Sequence, residues 1–86
     1  MSATTTSRAE FIERAESLVD LDPTVESGIR RTIQLAHGAT LTDRCWGYLV
    51  RDLIKFEEFH TVGLHAAAGS ILRQVRAMLC EGVDRG

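Results

Sequence analysis

The stretch from Thr42 to His60, TDRCWGYLVRDLIKFEEFH, constrains the fold of this chain more than any other. It holds four of the five aromatics, Trp46, Tyr48, Phe56 and Phe59, together with Cys45, Leu49, Val50, Leu53 and Ile54. At about 100° per residue these cover well over half the circumference of an α-helix. Arg44, Arg51, Lys55 and Glu58 gather on the narrow face that is left. A helix this apolar has to be covered on several sides, so it is expected to be the central helix of a small bundle.

The flanking sequence supplies three more helices and no strand-like alternation. Ser7-Arg-Ala-Glu10 fits a capping box, and a helix is expected from there to about Val19, with Phe11, Ile12, Ala15, Leu18 and Val19 on one face. Leu21-Asp22-Pro23 breaks the pattern; Asp22 suits an N-cap and Pro23 a first helical position, starting a second helix that runs to about His37. Val25, Ile29, Ile33 and Ala36 face inward on it, with Leu35 beside them. Gly28 either weakens that helix or admits a close neighbour, and Gly38 is expected to end it in the left-handed conformation. Thr40-Leu-Thr-Asp43 repeats the capping pattern ahead of the aromatic helix. After a turn at His60–Gly63, the last helix is expected from Leu64 to Glu81, ended by Gly82. Its stretch Ala66-Ala67-Ala68-Gly69-Ser70 is small enough for close helix–helix contact. The expected fold is therefore all-α, a small four-helix bundle with short connections and a single domain over residues 1–86, in which 1–6 and 83–86 are disordered. A chain of this size has a small stability margin, so completion of the core by homodimerisation is expected, with Trp46, Tyr48, Phe56, Phe59, Ala67 and Ile71 divided between core and interface.

Charge and cysteine usage narrow the functional classes. The net charge is −2, and residues 1–39 carry four arginines against six acids. Neither half has the basic excess that non-specific nucleic-acid binding needs. Cys45 and Cys80 stand alone, which is neither a disulfide framework nor a zinc spacing, and both fall on apolar helix faces where a reduced, buried thiol is expected. With no signal-peptide pattern and no apolar run long enough to cross a bilayer, a cytoplasmic location without membrane contact is expected.

Three constellations invite a chemical reading. Glu57-x-x-His60 has the spacing that places two ligands on one metal in di-iron bundles, but the chain holds a single copy, so no metal or other cofactor is expected. Arg73, Gln74 and Arg76 would make the last helix a DNA reader behind the His60–Gly63 turn, the helix-turn-helix alternative; its first turns, LHAAAGS, offer bases almost no hydrogen-bonding groups. His65-Ala66-Ala67-Ala68-Gly69-Ser70 resembles the His-x-x-x-Gly-Ser core of histidine phosphotransfer domains over six residues. That resemblance implies a phosphoryl-accepting His65. It departs from the family at Ala68, where members carry a lysine, and in lacking further helices after the motif. Asp52 interrupts the apolar helix and is expected to pair with Arg51 or a neighbouring helix.

No catalytic constellation assembles, so the expected function is non-enzymatic: a protein–protein interaction module acting as a regulator, adaptor or inhibitor of a larger machine, of the kind phages and mobile elements encode. The acids of the first helix, Glu10 and Glu13 foremost, and the ridge Arg44, Arg51 and Lys55 are its expected contact surfaces.

Overall fold

The computed structural model describes residues 7–85, so the expectation of disorder at 1–6 lies outside the described residues. Four helices follow in order: α1 (Arg8–Leu18), α2 (Glu26–Gly38), α3 (Asp43–Thr61) and α4 (His65–Arg85). They form a closed ring in which α1 packs on α2 and α3, and α4 packs on α2 and α3. The aromatic helix α3 is thus one side of a square rather than a centre, with α2 lying diagonally across from it. Two apolar neighbours suffice because its large side chains point into the shared interior.

That interior is continuous. Phe11, Ala15 and Leu18 of α1, Ile29 and Ala36 of α2, Trp46, Leu49, Leu53 and Phe56 of α3, and Ala68, Val75 and Leu79 of α4 are all buried in one cluster. Phe11 and Trp46 meet with ring centroids 5.5 Å apart, a tilted arrangement that aromatic quadrupoles favour. Trp46 and Phe56 are core residues within a single chain, Phe59 and Ile71 pack half-buried against it, and Tyr48 and Ala67 lie outside. Thr32, absent from the expected inward face, is fully buried and donates its hydroxyl hydrogen to the Gly28 carbonyl at 2.8 Å, which satisfies it inside its own helix.

The helix ends depart from sequence expectation in instructive ways. The Ser7 hydroxyl caps α1 as expected, accepting from the Glu10 N–H at 3.4 Å. The cap of α3 is Thr42, not Thr40; its hydroxyl accepts from the Cys45 N–H at 3.2 Å. Asp22 does not cap a helix beginning at Pro23. It closes a local turn by accepting the Thr24 N–H at 2.9 Å, and α2 starts three residues later behind Val25, without a side-chain cap. Gly38 is the last residue of α2 and not left-handed; the chain leaves extended through Ala39, and the positive φ among the described residues belongs to Gly63. There the Leu64 N–H donates to the Phe59 carbonyl at 2.8 Å and the Gly63 N–H to the His60 carbonyl at 3.1 Å, a Schellman turn that separates α3 from α4.

Gly82 does not end α4. The helix runs to Arg85, and Gly82 sits where it crosses the α2–α3 connection, its carbonyl accepting the Thr40 N–H at 3.2 Å. A Cβ there would stand 2.9 Å from Leu41 Cδ2 and 3.2 Å from Ala39 Cβ, so a side chain would crowd the connection. Arg8 fastens the same connection from α1, donating to the Ala39 carbonyl at 2.8 Å. Gly28 likewise permits α2 to approach α4, with Leu72 and Arg76 over its Cα. By contrast Ala66, Ala67, Gly69 and Ser70 are exposed, and the small-residue stretch of α4 contributes only Ala68 to packing.

Candidate functional site

The expected contact residues are all on the surface, on two adjoining helices. Glu10 and Glu13 are exposed on α1; Arg44, Arg51 and Lys55 are exposed on α3. The spacing i, i+7, i+11 holds these three cations within about 60° of one another around α3. Tyr48, at i+4 from Arg44, borders that arc on the Lys55 side and is 51 % exposed. A shallow cleft lined by Arg44, Gly47, Tyr48, Val50 and Arg51 opens beside it. The ion pairs among the described residues are Arg30–Glu26 and His60–Asp22, so Arg44, Arg51 and Lys55 carry their charge unpaired. Asp52, expected to pair with Arg51 or a neighbouring helix, forms no ion pair with either among the described residues. Asp52 lies half-buried at the edge of the arc, where desolvation raises its carboxyl above the usual range and Lys55 pulls it partly back.

A second cluster brings together residues far apart in sequence. His60 stands in the last turn of α3, with its side chain 9 % exposed and stacked on Phe56, ring centroids 5.9 Å apart. His60 Nε2 lies 2.9 Å from Asp22 Oδ2, and His60 Nδ1 lies 3.1 Å from His65 Nδ1. A carboxylate only accepts, so Nε2 of His60 carries its hydrogen, and in the neutral ring Nδ1 then presents its lone pair towards His65. The Thr24 backbone N–H first, and His60 second, hold the Asp22 carboxyl below its ordinary value. The Schellman turn makes this cluster possible by reversing the chain between the two histidines. Glu57, the residue that sequence spacing paired with His60, is exposed and outside the cluster.

The cluster closes one end of a groove of about 790 Å³ between α2 and α4, along which lie Ser27, Ser70, Arg73 and Arg76. Arg73 donates to the Ser70 hydroxyl at 3.3 Å. Within the phosphotransfer-like hexapeptide, His65 is exposed but Ala68 is 1 % exposed and faces the core, so the position of the family's lysine does not share the His65 face. Cys80 is exposed and Cys45 half-buried, against the expectation that both thiols would be enclosed; each sits at the margin of its helix's apolar face. No helix among the described residues is long and apolar enough to cross a membrane. Comparison with protein-family models, curated proteins and solved structures finds no match to this chain.

Proposed function

We propose that this chain is a non-enzymatic protein-interaction module whose contact surface is the outer face of α3. The observation that carries this reading is Tyr48, half-exposed between Arg44 and Arg51 with Lys55 beyond, on a ridge that forms no ion pair among the described residues. An exposed aromatic flanked by unpaired arginines is the composition in which binding energy concentrates at interfaces. The partner surface is then acidic, because three unpaired cations steer and orient a surface of opposite sign. The regulator, adaptor or inhibitor role, a cytoplasmic setting and a phage or mobile-element source belong to this reading. The acids of α1, including Glu10 and Glu13, form a second patch of opposite sign and give a head-to-tail route to self-association.

The test is site-specific photo-crosslinking in native host cells. A photoreactive residue at Tyr48 should trap one discrete partner, and Arg51→Glu should abolish trapping while His65→Ala leaves it unchanged. A partner trapped equally well from a crosslinker at Gln74 on α4, or retained after Arg51→Glu, would refute the assignment of this face.

A further inference from the structure

We propose that His60 and His65 form a binding site for a divalent transition metal ion such as Zn²⁺, with Asp22 orienting His60 from behind. This site is separate from the α3 ridge and rests on different residues. Two imidazole nitrogens bound to one ion at the usual distance of about 2.0–2.1 Å subtend roughly 95–102° when they stand this far apart. The observed Nδ1–Nδ1 distance of 3.1 Å therefore already matches two adjacent positions of a metal's coordination shell. Imidazole donors of this kind suit zinc, copper and nickel.

The remaining parts of the arrangement serve the same end. Metal-bound histidines usually donate their other ring N–H to a carboxylate, a backbone carbonyl or water, which fixes the tautomer and orients the ring. Asp22 holds His60 in that manner, at 2.9 Å from Nε2, and the lone pair of Nδ1 faces His65. Asp22 is itself no ligand, because its Oδ1 accepts from Thr24 and its Oδ2 from His60. His65 needs only to move its hydrogen from Nδ1 to Nε2, so both Nδ1 atoms become donors with no proton lost. Among the described residues no three His, Cys, Asp or Glu side chains converge on one point. The chain thus supplies two donors, and water fills the other positions. Space for that water exists on the α4 side, where a Cβ on Gly69 would meet nothing within 4 Å.

The experiment is calorimetric titration of chelator-stripped, full-length protein with Zn²⁺ alone. One saturable site per chain is expected, and Zn²⁺ should raise the melting temperature, since an ion bound only by the folded state stabilises it. His65→Ala, a change at an exposed position, should abolish both effects. Asp22→Asn should weaken binding by roughly 10- to 100-fold, as loss of an outer carboxylate does. The asparagine oxygen keeps the Thr24 N–H, so its NH₂ is turned to His60 and forces the hydrogen onto Nδ1, where it blocks the metal. Absence of saturable binding by the wild-type chain overturns the proposal. Zn²⁺ binding undiminished in His65→Ala overturns it too, by assigning the ion to Cys45, Cys80 or His37. Equal affinity in Asp22→Asn, with an unchanged apo melting temperature, removes the orienting role of Asp22.

Discussion

Two glycines on one helix allow the seating of α4 to be measured. Gly69→Ala and Gly82→Ala exchange the same residues in the same helix, and each gains up to about 1 kcal/mol of helix propensity. At Gly69 a Cβ enters open space, so the gain is realised. At Gly82 a Cβ would meet Leu41 Cδ2 at 2.9 Å, Leu41 Cγ at 3.1 Å and Ala39 Cβ at 3.2 Å. The Leu41 methyl can rotate away, but the Ala39 Cβ is fixed to a backbone held by Arg8 and by the Thr40–Gly82 hydrogen bond. Overpacking of this kind costs about 1–3 kcal/mol. Gly69→Ala should therefore be more stable than wild type, and Gly82→Ala about 1–3 kcal/mol less stable than Gly69→Ala. At about 4–8 °C per kcal/mol for a domain this size, Gly82→Ala should melt at least about 4 °C below Gly69→Ala in thermal scans followed by helical circular dichroism. Two variants melting within about 2 °C of each other would refute the claim that α4 is seated on the α2–α3 connection.

Other expectations follow from the core and from Asp52. Phe56→Ala empties a site 1 % exposed and should cost about 3–5 kcal/mol, a large share of the roughly 4–13 kcal/mol expected for a chain of 86 residues; a urea midpoint shift worth under about 1 kcal/mol would place Phe56 outside the core. Asp52 has its folded-state pKa raised above the ordinary 3.8, so the folded protein holds the proton more tightly than the unfolded chain does. Stability from this group is then present below that value and lost as pH rises through the folded pKa. Asp52→Asn should accordingly be more stable than wild type at neutral pH, with the gap closing as the pH falls through the raised folded pKa towards 3.8; a gap independent of pH in chemical denaturation would remove desolvation as the cause.

The four helices were legible in the sequence because each needs only local information: an apolar stripe at helical period, with Ser7 and Thr42 at the starts of α1 and α3 and Gly63 at the turn before α4. The exposed ridge of Arg44, Arg51 and Lys55 was legible for the same reason, since spacing along one helix decides which residues share a face. The Asp22–His60–His65 cluster was not. Asp22 lies thirty-eight residues from His60, and its local role as an apparent cap concealed the free carboxylate oxygen that reaches α3. The histidines themselves stand five apart, a spacing that brings nothing together on a continuous helix; they meet only because Gly63 turns the chain between them. Gly82 shows the same division. As a residue it reads as a helix end, and only the crossing of α4 over Ala39 and Leu41 makes it a contact point inside the helix. The sequence by itself determined how many helices form and which faces are apolar, because those depend on neighbours within a turn or two. The tertiary structure alone decided which side chains from different helices come within bonding distance, because that depends on how the apolar faces close into a ring.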